Sequence, residues 1–296
     1  MLPPRADTRN PRTQPLTEMS TQRGYAAAAT YNAASGPAVL VVGGGNGARW
    51  FDSADAYDVA TNSWRSCAPL SVRRGSLAAA SLHDSVFVFG GGHAGDGAAV
   101  RTTIGVASTE RYDAARDCWI ELAPLSCGRF AIGGAALGGA LYAAGGFDGT
   151  SYLETVERFD PREGVWRPMP PMPAGRRGSV ALAPAPGSAG EHTLVAAGGF
   201  SGDAGVGAAL FLATVEAFDA RANAWRPLGQ LARARAYGTA VNVDGRLILL
   251  GGLHHQAYAE TLEEYDAAAN VWRPLTLAGG ATRKRSFVTA AVVPAL

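Results

Sequence analysis

Lysine is nearly missing from this chain: of 26 Lys and Arg residues, only Lys284 is a lysine. The arginine and alanine excess reads as codon usage and carries no functional meaning. Charge is sparse, at 17% charged residues and a net +1, which excludes a nucleic-acid binder working through bulk electrostatics. The three cysteines, Cys67, Cys118 and Cys127, form no CxxC and no even set, so neither a disulfide framework nor a zinc pattern is present. No apolar run is long enough to cross a bilayer, and the N-terminus has no apolar signal-peptide core. These features predict a reduced, cytoplasmic protein. Hydrophobic residues at 47% are too many for a disordered chain, and 38 glycines beside short apolar runs predict β-strands joined by tight turns.

Residues 1–12, with Pro3, Pro4, Pro11 and three arginines, are expected to be disordered. Beyond them the chain repeats itself. AYDVATNSW at 56–64, RYDAARDCW at 111–119, RFDPREGVW at 158–166, AFDARANAW at 217–225 and EYDAAANVW at 264–272 share one design. An aromatic-Asp pair is followed by Trp64, Trp119, Trp166, Trp225 or Trp272, each seven residues after its aromatic. Two residues before each Trp stand Asn62, Asp117, Gly164, Asn223 and Asn270, types that tolerate positive φ. The Asp of each pair is placed to cap its own turn. Each segment therefore reads as a tight hairpin, its aromatic and Trp facing one packing layer.

Upstream of each hairpin, an apolar run ends in a glycine doublet: Gly43-Gly44, Gly90-Gly91, Gly145-Gly146, Gly198-Gly199 and Gly251-Gly252. Such a doublet implies close backbone approach. Further upstream, an arginine precedes a run of small residues, at Arg23, Arg74, Arg129, Arg177 and Arg235, with a sixth copy at Arg285. Each unit reads as four strands, a to d, and the units recur at 47–59 residues from Trp to Trp. Four strands per repeat of this length describe a propeller blade. The small residues of strand a suit the axis, where all blades converge.

Gly-Gly, then Tyr-Asp, then Trp at this spacing resembles the kelch repeat. The resemblance covers roughly residues 13–296 and is nearest to the kelch-like (BTB-kelch) adaptors. It implies an all-β kelch β-propeller of five complete blades, with repeats at about 23–70, 72–125, 127–172, 174–231 and 232–277. In that family the last strand commonly becomes strand a of the first blade. Residues 283–296 are here a sixth strand a, and Gln14 to Met19 resemble the end of a strand d with Thr13 where Trp belongs. An incomplete sixth blade closed by the two termini is therefore expected. It belongs either to a shortened six-bladed protein or to a ring with one thin blade. The family's BTB and BACK domains, which bind cullin-3, have no counterpart in these residues.

The resemblance also implies a role: a protein-interaction platform and not an enzyme, the recognition module of a ubiquitin-ligase adaptor or a cytoskeletal scaffold. The alternative is a propeller enzyme acting on a small molecule. Strand alternation places the b–c loops and d–a linkers on one face, and both long insertions, 92–107 and 200–212, are b–c loops. By motif, the partner-binding candidates are Arg23, Arg74, Arg129, Arg177, Arg235 and Arg285 with Phe147 and Phe200. That set would suit an acidic peptide. The competing reading gives each arginine to the carbonyls of its own blade junction. Trp50, outside the repeat in a short b–c loop, is a further contact candidate. No cofactor, metal, membrane or nucleic acid is expected. His254-His255 with Glu260 is not read as a metal site, because neighbours in a strand point to opposite faces.

Overall fold

The computed structural model describes residues 16–94, 103–175, 177–186, 192–203, 206–255, 257–259, 262–276 and 289–293; the side chains of 203 and 206–209 are not described. Every regular element among them is a β-strand. Five four-stranded antiparallel sheets follow one another along the chain. Blade 1 is Ala27–Ala33, Gly36–Val42, Ala54–Asp58 and Ser63–Cys67; blade 2 is Ala78–Leu82, Ser85–Phe89, Thr109–Asp113 and Cys118–Leu122. Blade 3 is Gly133–Leu137, Ala140–Ala144, Val156–Asp160 and Val165–Met169. Blade 4 is Ala181–Pro184, Thr193–Ala197, Val215–Asp219 and Ala224–Pro227, and blade 5 is Thr239–Val243, Arg246–Leu250, Leu262–Asp266 and Val271–Leu275.

The repeated hairpins form as their sequence dictates. Tyr57 lies directly across from Trp64, Tyr112 from Trp119, Phe159 from Trp166, Phe218 from Trp225 and Tyr265 from Trp272. Their rings pack at 5.1–5.4 Å between centroids. Asn62, Asp117, Gly164, Asn223 and Asn270 all adopt positive φ. The carboxylates of Asp58, Asp113, Asp160, Asp219 and Asp266 accept backbone N–H bonds within their turns.

Strand b of each inner blade is mostly apolar because both of its faces are covered. In blade 2, Val86 and Val88 join Tyr31, Leu40 and Val42 of blade 1, while Phe87 and Phe89 join Leu141 and Phe159 of blade 3. Alternate side chains thus enter successive inter-blade cores, and burying each large apolar side chain contributes about 1.5–3 kcal/mol. The core is four such layers between neighbouring blades. Inner strands surround a central channel of about 360 Å³, lined mostly by alanine, glycine and small polar residues.

The glycine doublets lock blade to blade. Gly44, Gly91, Gly146 and Gly199 donate their N–H to the carbonyls of Arg74, Arg129, Arg177 and Arg235 in the next blade, at 2.8–3.0 Å. A Cβ on Gly43 would stand 2.5 Å from the Arg74 carbonyl oxygen, and φ is positive at both doublet positions in all five blades. Only glycine satisfies both conditions.

The expected strand pairing at the seam is not formed among the described residues. Residues 16–20 and 289–293 carry no ladder, although 289–292 line the channel beside the five inner strands. Residues 1–15, including Thr13, and 277–288, including Arg285, lie outside the described residues.

Candidate interaction face

The repeat arginines are turned into the blades. The Arg23 guanidinium donates to the Gly43 and Ser53 carbonyls at 3.0 and 2.9 Å and to Asp55 at 2.6 Å. Arg74 repeats this with the Gly90 and Ser108 carbonyls and Glu110. Arg129 and Arg177 pair with Glu157 and Glu216, each at 2.5 Å, and Arg235 pairs with Glu263. All five side chains are at most 2% exposed. Burial lowers the pKa of Arg23, Arg74, Arg177 and Arg235, and the adjacent carboxylate opposes the shift.

These pairs correct the candidate list. Arg23, Arg74, Arg129, Arg177 and Arg235 clamp the linker before strand a to the start of strand c, each charge buried against a carboxylate; Arg285 lies outside the described residues. The sequence reading overlooked their carboxylates. Asp55, Glu110, Glu157, Glu216 and Glu263 each stand two residues before the aromatic of the Tyr/Phe-Asp pair, a signal visible in all five repeats.

On the face of the b–c loops, the residue after each doublet pairs across its loop with a second one. The pairs are Gly45 with Trp50, Gly92 with Gly105, Phe147 with Tyr152, Phe200 with Phe211 and Leu253 with Tyr258. Trp50 is therefore inside the repeat in space, the counterpart of Tyr152, Phe211 and Tyr258. In three blades the spacing of five residues was legible; the two long insertions hid it in the others. Trp50 is half-buried, lies on Gly75 of the next blade and donates its indole N–H to Thr103 Oγ1 at 3.1 Å. Tyr152 lies on Gly178 in the same way.

These rings form two arcs. Phe130, Phe147, Tyr152, Phe200 and Phe211 follow one another at 5.0–5.5 Å, and Trp50, Tyr25 and Tyr237 at 5.7 and 6.4 Å. Tyr25 and Tyr237 stand two residues after their arginines in left-handed backbone, at φ of 58° and 59°. Successive residues of this position are linked around the ring, from Ser76 N–H to Tyr25 O, Ala131 to Ser76 and Ser179 to Ala131. Burial raises the phenol pKa values of Tyr25, Tyr152 and Tyr237; that of Tyr152, with Tyr237 nearby, is pushed up to about 12. Phe147 and Phe200 are thus brought together through Tyr152, as half-buried members of the first arc.

Outside the arcs, Ile104, Leu210 and Tyr258 project from three b–c loops, 62%, 61% and 51% exposed. His255 has a φ of 52°, so strand alternation does not separate it from His254; their rings meet edge to face at 4.4 Å, beside Phe211. Glu260 lies outside the described residues. Among the described residues no three metal-capable side chains converge.

The repeat and the ring agree with known proteins. The model of the Kelch motif matches residues 32–71 and 128–173. This chain carries Kelch motifs, and its described residues form a β-propeller of five blades. It is 28% identical to mouse Kelch-like protein 35 over 73% of this chain and 34% of that protein, and 32% identical to human Kelch-like protein 35 over 46% and 22%. Human Kelch-like protein 4 is 42% identical over 25% of this chain and 10% of its own length. The chain spans about a third or less of the length of these relatives. The solved structure of YjhT superposes with a TM-score of 0.74 over 93% of this chain and 89% of YjhT, at 15% identity, a likeness of fold. No helix among the described residues is long and apolar enough to cross a membrane.

Proposed function

We propose that this propeller is a partner-recognition module, of the adaptor kind its Kelch-like relatives suggest, docking another protein on the b–c loop face. One observation carries the reading: Ile104, Leu210 and Tyr258 stand exposed on three loops of a face whose floor is a linked aromatic arc. Apolar and aromatic groups clustered on one face mark protein contact surfaces. With the arginine charges neutralised inside the blades, the contact rests on apolar and aromatic anchors, and carboxylate pairing with an acidic motif is left aside.

The test is affinity capture with the purified chain, identification of the partner, and comparison of Leu210→Ser and Tyr258→Ser with Arg221→Glu on the opposite c–d turns. An anchor residue costs about 2 kcal/mol or more when truncated, roughly thirtyfold in affinity. Binding should fall by that order for the loop variants and stay unchanged for Arg221→Glu. Loss in the turn variant alone would place the partner on the other face.

A further inference from the structure

The channel meets the b–c loop face at five equivalent positions, each two residues after a repeat arginine. They are Tyr25, Ser76, Ala131, Ser179 and Tyr237, all in left-handed backbone at φ of 52–59°. Tyr25 and Tyr237 immediately precede Ala26 and Gly238, which begin the channel lining on their strands. Their rings stand 6.4 Å apart between centroids, so the two tyrosines are neighbours at the mouth. One side of the mouth is therefore walled by aromatic rings, and the other carries short side chains. Bulky residues seldom adopt this backbone conformation. Two tyrosines in it, where serine and alanine also fit, point to a task for the rings.

These rings meet at right angles. Tyr25 lies at 88° to Trp50, 5.7 Å away, and at 87° to Tyr237, so the wall turns corners instead of stacking flat. Tyr258 is an electrostatic neighbour of Tyr25, and Tyr237 of Tyr152, which extends the set to five rings. Tyr25, Trp50, Tyr152 and Tyr237 are half-buried and Tyr258 is exposed, so the set can be reached from the loop face. Below it, every residue lining the channel is uncharged. The ring next to Trp50 shows what such faces attract: Phe51 lies under the Arg23 and Arg49 guanidinium groups, at 5.5 and 5.7 Å from its centroid.

We propose that this mouth is an aromatic cage for a trimethylated lysine of the partner protein. The inference rests on the reading of the b–c loop face as a partner surface and names what that surface recognises. Rings set at right angles turn several faces toward one point, and a cation within about 6 Å of a ring centroid is held by the ring quadrupole. The methyl groups follow from what the wall supplies. A bare ammonium brings three N–H donors and a guanidinium five, each needing an acceptor once desolvated. The wall offers ring faces and a few phenol oxygens. A trimethylammonium has no N–H to satisfy, is apolar on its outside and keeps its charge. The short side chains of Ser76, Ala131 and Ser179 suit the methylene stem behind it.

The probe is a pentapeptide with a central trimethyl-lysine between glycines, titrated into the full chain and followed through the indole N–H resonance of Trp50. It should bind about tenfold or more tighter than the unmethylated peptide, and than a peptide whose side chain ends in the uncharged tert-butyl isostere. Trp50→Ala and Tyr237→Leu should each weaken binding by about the same factor. Tyr237→Phe keeps the ring and should keep the binding, which separates loss of the cage from loss of the fold. Absence of binding, or equal binding of the three peptides, overturns the proposal. Tighter binding of phosphocholine than of the methylated peptide also overturns it, by giving the mouth to a free or lipid headgroup. The peptide is tested without the partner. Failure here therefore leaves the Leu210→Ser comparison standing, and failure of that comparison leaves the cage to be judged by the peptides.

Discussion

Arg177 and Glu216 meet at 2.5 Å with the guanidinium wholly buried and the carboxylate 8% exposed. The same carboxylate accepts the Ala174 N–H, tying the linker to strand c. Removing one partner strands the other in the blade, at a cost of about 3–5 kcal/mol. Arg177→Met and Glu216→Gln should each lower the unfolding free energy measured by urea titration by that order, while the folded fraction keeps its affinity for a loop-face partner. Weakened binding without lost stability would return Arg177 to the contact list.

Glycine stands at two positions of blade 3 for two different reasons, and only one of them demands it. A side chain at Gly145 meets the Arg177 carbonyl, so Gly145→Ala should destabilise by about 1–3 kcal/mol, the scale of overpacking. Gly164, at φ +69°, has open space around it, and its counterparts Asn62, Asn223 and Asn270 are asparagines at similar φ. Gly164→Asn should therefore be neutral or stabilise by about 0.4–1 kcal/mol through a less mobile unfolded chain. Thermal denaturation of both variants checks the pair.

Stability should be sensitive to alkali. Tyr25, Tyr152 and Tyr237 have folded pKa values above the ordinary 10.0, because burial favours the neutral phenol. The fold thus prefers the protonated form. The stability this contributes is complete below about pH 10 and is lost as pH rises through the folded value, about 12 for Tyr152. Melting temperature should hold to pH 10 and then fall, and Tyr152→Phe should flatten that fall. Equal slopes would show that these phenols titrate normally.

The channel wall at the seam makes a further prediction. Residues 289–292 line it beside the five inner strands. Deleting 289–296 should lower the melting temperature well beyond the effect of removing an exposed tail. An unchanged value would show that the five blades hold together without that segment.

The blade was legible because its determinants are local. A turn needing positive φ at Asn62 or Asn270, an aromatic set directly across from a Trp, and a doublet at the end of an apolar run can each be read from fixed spacings. The role of the arginines was not legible. Arg74 and Glu110 lie 36 residues apart, and only the stacking of strand a beside strand b and strand c reveals that the charge is cancelled. Trp50 was misread for a related reason: loop length hid its equivalence to Phe211, which appears once both loops are folded onto the same face.

By itself, then, the sequence determined the five complete blades, their strand order and the face carrying the long loops, because these follow from period-two alternation, turn chemistry and chain direction; the incomplete sixth blade it also led one to expect is not formed among the described residues. Tertiary structure decided which side chains that face offers. Burial draws each guanidinium onto a carboxylate of its own blade, since an unpaired charge there would be costly. The aromatic rings left at the loop ends then supply the surface.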